Sequence, residues 1–417
     1  MVQTMQTTSD KGQLKISITS RATSVPIENA TISISYTGVP ETTIEELKTN
    51  ASGNTEIIDL PAPPEEYSQN PQILSQPYSE YNLIIQAPDF EPITISGTEI
   101  LANTLALQNV QLTPLSPGEM AQVYVIPAHT LYGVYPPKIP EAEIKPTNET
   151  GEIVLSRVVV PEYIVVHDGS PRDSTATNYY VKYKDYIKNV ASSEIYATWP
   201  VNTLRANILA IMSFTLNRVY TEWYRNQGYD FTITSSTAFD HKWIPERNIY
   251  QSISTVVDEL FASYLSRPNV KQPILTQYCD GRQVQCPNWM TQWGSKSLGD
   301  QGYSPIEILR YFYGDNMYIN TAEEISGIPS SWPGYDLTIG SSGNKVRQMQ
   351  EQLNRISDAY PLIPKINADG IFGSATANAV RVFQSVFGLP QTGIVDYPTW
   401  YKISEIYVGV SRIAELV

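Results

Sequence analysis

The sequence predicts a multidomain α+β protein with a β-sandwich first, a mainly helical domain second and a small three-helix unit last. Three observations support this prediction. The first hundred residues alternate apolar and polar positions in short runs, the middle of the chain carries apolar residues at helical spacing, and Pro-rich stretches separate the parts. A chain of 417 residues also exceeds what one ordinary core holds, so several domains are expected.

Residues 1–115 are predicted to form the β-sandwich. Runs such as LKISITS, ATISISY and TLALQNVQL alternate apolar with polar residues and are separated by Pro, Gly and Asn turns. Short strands at this spacing are typical of two packed sheets. The polar stretch 61–80 is predicted to be a loop, and this part of the chain offers no catalytic constellation.

Residues 116–160 are predicted to be an extended connector because they are rich in proline and only weakly periodic. Segments of this kind are accessible to proteases. Its position between a non-catalytic and a catalytic part indicates a propeptide, so we expect activation by cleavage within 116–160.

Residues 161–322 are predicted to form the catalytic domain, and one carboxylate stands out there. Glu194 shares a helical stripe with apolar residues such as Val190 and Ile195, and Pro200 then opens a longer helix. A carboxyl group partly removed from water has a raised pKa, as a general acid requires. The alternative is a solvent-exposed glutamate at a fraying helix end.

The rest of this domain combines two further helices with a long polar loop. A third helix is predicted in SISTVVDELFASYLS, with Tyr264 and Leu265 on its apolar side, and a later helix begins with Ser304 as cap and Pro305 at its first position. Between them lies TQYCDGRQVQCPNWMTQWGSKSLGDQGYSP. Amides and aromatic rings in such a loop suit polysaccharide binding, but they equally serve a long loop's own hydrogen bonds. Cys279 and Cys286 could bridge part of it.

Residues 323–338 are predicted to be a second linker, and 339–417 a compact helical unit. The start of the chain is polar, and no run approaches the ~20 apolar residues of a membrane span. We therefore expect no Sec-type signal peptide and no membrane span.

Charge and motif content narrow the chemistry. A net charge of -14 argues against nucleic acid as a partner. The three histidines are isolated, and the metal, serine-hydrolase and phosphate-binding motifs are missing, so we expect no metal or other cofactor. Of the reaction classes considered, a reaction catalysed by carboxylates on a sugar polymer remains.

Two carboxylate mechanisms are open. An ordinary glycosidase needs two carboxyl groups ~5 to 9 Å apart. The candidate partners for Glu194 are Asp185, Asp230, Asp240 and Asp280. A lytic transglycosylase needs one Glu, which first protonates the leaving oxygen and then takes a proton from the muramic acid 6-hydroxyl.

Three stretches carry resemblances to known families. NVASSEIYATWPVNTLRANILAIMSFTLNR resembles the SpoIID family signature, whose catalytic Glu matches Glu194. Residues 339–417, with DGIFGSAT, AVRVFQ and GLPQTGIVD, resemble the peptidoglycan-binding type 1 fold. ITSRATSVPIENATISI and DFEPITISG resemble a transthyretin-like or carboxypeptidase-regulatory module.

The order of these modules resembles that of clostridial spore cortex-lytic enzymes. That resemblance implies a zymogen of a peptidoglycan lytic transglycosylase, held in the cortex or coat region of the bacterial endospore. It also implies spore cortex peptidoglycan as substrate and a Csp-type subtilisin-like protease as the activating partner at germination.

The chain departs from the SpoIID family at two points. The Cys and His residues that mark a metal site in some members are missing from TSSTAFDHKW, which leaves His241 alone. Met212 stands where the SpoIID family usually has an arginine, and Arg205 or Arg218 could replace that arginine only if the geometry allows. Substrate binding is predicted for Asp240, His241, Tyr278, Asp280, Trp289, Gln292 and Trp293. The alternatives are a non-catalytic SpoIID-like peptidoglycan-binding protein, an amidase activator, or a structural protein of the spore coat.

Overall fold

The computed structural model describes residues 10–115, 121–146, 155–326 and 332–411. The predicted linkers 116–160 and 323–338 therefore lie partly outside the described residues. The strands are β1 Asp10–Ser20, β2 Thr31–Tyr36, β3 Thr43–Lys48, β4 Ile58–Ala62, β5 Tyr78–Gln86, β6 Ile93–Leu101, β7 Leu105–Leu112, β8 Gln122–Val125, β9 Val159–Val160, β10 Tyr163–His167, β11 Asn178–Lys182, β12 Ile233–Thr234, β13 Ile249–Tyr250, β14 Ser263–Ser266, β15 Tyr278–Cys279, β16 Met290–Thr291, β17 Tyr318–Thr321 and β18 Glu324–Ile325. The α-helices are α1 Glu66–Gln69, α2 Tyr183–Glu194, α3 Val201–Tyr220, α4 Gln251–Leu260, α5 Gln292–Asp300, α6 Pro305–Tyr313, α7 Asn344–Ala359, α8 Ser374–Val386 and α9 Tyr397–Ser411.

The first unit consists of two sheets that contact each other mainly through β6, which packs against β7, β1 and β4. One sheet has the order β3-β2-β5-β6-β8 and the other the order β13-β7-β1-β4. The alternation in β1 places Leu14, Ile16 and Ile18 in the core with no exposed surface. Strand β13 belongs to the middle of the sequence, so the second sheet continues into the next domain.

The predicted loop 61–80 contains a helical turn that touches the middle domain. In α1 the main-chain oxygen of Ser68 accepts a 2.9 Å hydrogen bond from the indole nitrogen of Trp199, and the Gln69 amide donates a 2.7 Å bond to the Thr198 carbonyl. The sequence did not predict this turn, or strands β3 and β8. Ser68 and Gln69 therefore bind Thr198 and Trp199, which lead into α3.

A buried ion pair joins the same two parts. The Arg247 guanidinium donates a 2.6 Å bond to Glu99 of β6, and both side chains are almost completely buried. Asn248 exchanges side-chain hydrogen bonds with the backbone of Glu99, each 2.9 Å long. The first unit is therefore fixed to the middle domain by charge as well as by strand pairing.

Helix α3 is the centre of the middle domain. Seventeen of its 20 residues are buried, and it contacts α2, α4, α5 and α6. A helix that is buried on nearly all sides lies inside a core, and the polar side chains of α3, such as Asn207 and Arg218, are hydrogen-bonded there. Met212 has no exposed surface there, so it serves as packing and its side chain does not reach a site.

One predicted helix was wrong at its end, and one predicted cap was confirmed. Helix α4 ends at Leu260, and Tyr264 and Leu265 lie in strand β14, which pairs with β17. The pairing overrides the helical spacing of these residues because it satisfies their backbone groups. Ser304 and Glu307 form the capping box of α6, with Pro305 at the first helical position.

The last unit contains the three predicted helices and uses one structural device twice. Gln350 of α7 accepts a 2.8 Å bond from the amide of Gly370, and Gln384 of α8 accepts a 2.8 Å bond from the amide of Gly393. Both glycines have positive φ, where other residues are strained. Each glutamine amide also donates to a carbonyl of the turn and to a threonine hydroxyl in the helix that follows. Two buried glutamines thus fix the two inter-helix turns.

Candidate active site around Glu194

Glu194 is the last residue of α2, and its side chain is turned inward. Its exposed fraction is 8%, so the fraying end considered from the sequence is not what forms. The helix stops there because Ile195 is extended, and the chain then turns through Trp199 into α3.

Two donors hold the Glu194 carboxylate. The backbone amide of Lys242 donates a 2.8 Å bond to Oε1. The Gln292 side chain donates to Oε2 at 3.4 Å and to the Glu194 main-chain oxygen at 2.8 Å. Burial raises the pKa of Glu194 above its usual range, and these two donors and nearby lysines only partly oppose that shift. A raised pKa keeps the proton that a general acid must give.

The carboxylate opens into a cavity of about 20 Å³, which is room for roughly one water molecule. It is lined by Tyr135, Pro136, Lys138, Glu194, Thr237, Tyr278, Cys279, Asp280, Val284 and Gln292. Three of the predicted site residues besides Glu194 therefore meet here. The Tyr278 hydroxyl is buried and has no hydrogen-bond partner among the described residues, so it is available to a ligand.

Lys138 is the cation of this cavity, and it comes from the predicted connector. Its ammonium lies 4.9 Å from the ring centre of Tyr278 and 5.2 Å from that of Phe214, and it donates to the main-chain oxygen of Asp240. Burial lowers the pKa of Lys138, and its charge acts back to lower that of Glu194. The sequence prediction missed Tyr135, Pro136 and Lys138 because prolines and weak periodicity indicated a free linker.

Asp280 is the only one of the four proposed partner carboxylates that lines the cavity. Its two oxygens accept bonds from the backbone amides of Gln283, at 2.6 Å, and Val284, at 2.8 Å. Cys279 and Cys286 form a disulfide across the same loop. Asp185 and Asp230 are exposed to solvent.

Asp240 and His241 lie behind the cavity and do not line it, contrary to the sequence prediction. Asp240 has no exposed surface and accepts bonds from Arg218, Tyr224 and Thr234. His241 is fully buried, bonds to Tyr186 at 3.2 Å and stacks on the ring of Tyr278. Burial lowers the pKa of His241, so the ring is neutral and supports Tyr278.

The two tryptophans predicted to bind substrate, Trp289 and Trp293, also lie outside the cavity. Trp293 is partly buried against Trp199, with ring centres 5.1 Å apart. Trp289 is partly exposed and does not line the cavity. Gln292, which lies between them in sequence, is the side chain that reaches Glu194.

Neither arginine considered as a replacement at the Met212 position reaches the cavity. Arg205 pairs with Glu259 at 2.7 Å near the surface. Arg218 is buried and binds Asp240 through Nε and Glu141 through both terminal nitrogens, at 2.9 and 2.5 Å. The described residues contain no group of three His, Cys, Asp or Glu side chains placed to hold a metal ion.

Comparison with known proteins assigns the last unit. The model of the "Putative peptidoglycan binding domain" matches residues 342–403. Residues 342–403 form a peptidoglycan-binding domain. This domain includes the glutamines Gln350 and Gln384 and residues of the three helices α7, α8 and α9. In the described ranges of the whole chain, none of the helices is long and apolar enough to cross a membrane.

A curated relative and two solved structures are also similar over parts of the chain. The zinc D-Ala-D-Ala carboxypeptidase of Streptomyces albus G is 40% identical over 77 residues, which are 18% of this chain and 28% of that protein. The N-terminal domain of SleB is 28% identical over 18% of this chain and 99% of that one, with a TM-score of 0.16. The Bacillus anthracis TIE protein is 14% identical over 25% of this chain and 17% of that one, with a TM-score of 0.18.

Proposed function

We propose that this chain is the zymogen of a spore cortex-lytic enzyme of the SleC type, a peptidoglycan lytic transglycosylase whose catalytic residue is Glu194. The observation that carries the proposal is the buried Glu194 carboxyl with its raised pKa, opening into a cavity in a chain that also has a peptidoglycan-binding domain. The resemblance of residues 161–322 to the SpoIID family supports the same assignment.

The reaction follows from one carboxyl group acting twice. Glu194 gives its proton to the oxygen that joins C1 of N-acetylmuramic acid to O4 of N-acetylglucosamine, and the C1–O bond breaks. Positive charge develops on the ring of the muramic acid. The Glu194 carboxylate then takes the proton of the 6-hydroxyl as O6 bonds to C1. The product is a 1,6-anhydro sugar, and no water is consumed.

Three neighbours support this cycle. Lys242 N–H and Gln292 hold the carboxylate when it is charged, and burial favours the acid when it is neutral. This balance lets one group serve as acid and then as base. The free hydroxyl of Tyr278 offers a hydrogen bond to the sugar.

Glu194→Gln, which keeps the shape and removes the proton, tests the catalytic proposal. We expect glycan cleavage by the activated chain to fall about 10³-fold or more while binding to cortex fragments is kept. Full cleavage by Glu194→Gln would show that another residue is catalytic. Binding to cortex fragments without cleavage by the wild-type chain would instead favour the alternative, a SpoIID-like protein that binds peptidoglycan or activates an amidase.

Hydrolysis is the second candidate, because Asp280 is a further carboxyl group in the same cavity. Asp280→Asn separates the two reactions. A two-carboxylate hydrolase loses its activity with this change, whereas a transglycosylase keeps it within about 10-fold because Asp280 then only orders its loop.

The remaining parts of the proposal concern storage and activation. We propose that the protein resides in the endospore cortex or coat region and is activated by a Csp-type subtilisin-like protease. Under this proposal the transthyretin-like first unit and the segment 116–160 are removed at germination. N-terminal sequencing of the processed form tests it, and a mature start beyond Asn178 contradicts the proposed domain boundary.

A further inference from the structure

The segment 133–146, with the sequence GVYPPKIPEAEIKP, crosses the cavity of Glu194, and we call it the strap. Tyr135, Pro136 and Lys138 of the strap form one wall of the cavity. The other face of the strap is exposed, with Val134 at 92% and Ile139 at 44%. One side of the strap is thus buried over the candidate catalytic group, and the other faces solvent.

Alternate residues of the strap bind the middle domain through their backbone. The Ile139 amide donates a 2.7 Å bond to the carbonyl of Ala238, and the Glu141 amide donates to the Gln277 side chain at 2.9 Å. The Glu143 carbonyl accepts a 2.9 Å bond from the amide of Leu275. The Lys145 amide donates a 2.6 Å bond to Gln272. An extended peptide bound in a groove has this two-residue pattern.

The strap's acidic side chains also find partners on the domain. Glu141 pairs with Arg218 through both carboxylate oxygens, and Glu143 pairs with Arg267 through both of its own. Burial alone would raise the pKa of Glu141, but the adjacent Arg218 and Lys145 hold it below its usual range. Glu141 is therefore bound as an anion, and the two-point pairing of each acid with an arginine is geometrically specific.

The position of Lys138 indicates which part of the site the strap fills. Its ammonium faces the rings of Tyr278 and Phe214 and lines the same cavity as the Glu194 carboxyl. Aromatic faces and a carboxylate together attract positive charge. A breaking glycosidic bond places positive charge on the sugar ring beside the general acid. Lys138 thus lies in a site built for a cation where the proposed reaction generates one.

We propose that the strap keeps the chain inactive by lying in the glycan groove, with the Lys138 ammonium in the subsite where the glycosyl cation forms. This inference rests on the function proposed for Glu194 and specifies how that site is regulated. It assigns Tyr278 and Phe214 to the stabilisation of the developing charge once the strap has left. The four prolines of the strap reduce the entropy lost on docking, as suits a built-in inhibitor.

The test uses the full chain with recognition sites for a sequence-specific protease placed within 116–120 and within 147–154. Cutting at both positions detaches the strap as a peptide, and gel filtration at high dilution then removes it from the doubly cut chain. Cutting only within 116–120 leaves it attached to the middle domain. We expect the doubly cut chain to cleave isolated glycan strands about 100-fold faster than the uncut chain, and the chain cut only within 116–120 to remain slow. Equal rates for the uncut and doubly cut chains overturn the proposal.

A synthetic strap peptide added back to the doubly cut chain tests the role of Lys138. We expect the natural peptide to inhibit, a peptide with Lys138→Met to inhibit about 10-fold more weakly, and a control with the exposed Val134→Met to match the natural one. If the Lys138→Met peptide inhibits as strongly as the natural peptide, the assignment of Lys138 to the cation subsite is overturned.

A binding measurement separates this inference from the proposed function. Fluorescence anisotropy of the labelled strap peptide on the doubly cut chain reports docking without any catalysis. If no form of the chain cleaves glycan, the function proposed for Glu194 fails. The strap proposal then stands only if the peptide still docks and glycan strands displace it, and it fails if they do not.

Discussion

The Gln292 side-chain amide reaches both the main-chain oxygen and the carboxylate of Glu194, at 2.8 and 3.4 Å. It therefore fixes the end of α2 and the orientation of the candidate acid together. Because the bond to the carboxylate favours its charged form, Gln292 also limits the rise in the pKa of Glu194.

Gln292→Leu removes this support while keeping the side-chain size. We expect kcat of the activated chain to fall about 10-fold and the alkaline limb of its pH profile to move to higher pH, since Glu194 then holds its proton longer. Steady-state kinetics on glycan strands across pH 5–9 measures both effects. Gln285→Leu, on the exposed part of the preceding loop, is the control. If kcat falls but the alkaline limb of the pH profile does not move, Gln292 contributes packing only and does not affect the pKa of Glu194.

Burial of Glu194 also predicts how the stability of the uncut chain depends on pH. A carboxyl whose folded pKa is raised binds more protons in the folded than in the unfolded state. Its stabilising effect is thus complete below the unfolded pKa and is lost as pH rises through the folded pKa. We expect Glu194→Gln to unfold at the wild-type temperature near pH 4 and at a higher temperature near pH 8. An equal difference at both pH values contradicts the raised pKa.

The ion pair between Arg247 and Glu99 predicts a large loss of stability when it is broken. Glu99→Gln leaves a buried guanidinium without its counter-charge and should lower the free energy of unfolding by about 3–5 kcal/mol. The double change to Glu99→Gln and Arg247→Met should recover much of this loss. Glu259→Gln, which breaks the half-exposed pair with Arg205, should cost only about 0–1 kcal/mol. Urea denaturation followed by tryptophan fluorescence measures all three.

The buried glutamines of the peptidoglycan-binding domain predict a local effect. Gln350→Leu leaves the amide of Gly370 and the hydroxyl of Thr376 without their partner, so we expect it to destabilise the domain by about 1–3 kcal/mol. Glu351→Ala, at the neighbouring exposed position of α7, should have little effect. Limited proteolysis of the C-terminal domain in the full chain compares the two variants.

Local patterns in the sequence predict much of the fold but less of the site. Alternating residues indicated β1, β2, β5, β6 and β7, and cap chemistry located α6, because these signals lie within a few residues of one another. The end of α4 was wrong because Tyr264 and Leu265 pair with a strand more than fifty residues away. A pattern read along the chain does not contain such a partner.

The same reasoning explains the mixed result for the site residues. Glu194, Tyr278, Asp280 and Gln292 lie around one cavity, and their roles in it stay predictions. Asp240 and His241 were misplaced because a polar residue that satisfies a buried arginine or tyrosine cannot be distinguished by sequence from one that binds a ligand. Lys138 was missed because prolines indicate an extended conformation but do not show where the strap binds. The charged residues at every second position, Glu141, Glu143 and Lys145, were a signal of a bound extended segment.

The central claim is that Glu194 alone carries out both proton transfers, and mass spectrometry of the muropeptides released by the activated chain tests it most directly. We predict products that end in 1,6-anhydro-muramic acid, and no such products from the Glu194→Gln chain. Products that end in reducing muramic acid, made by the wild-type chain and lost on Asp280→Asn, would contradict the claim and establish hydrolysis by two carboxylates.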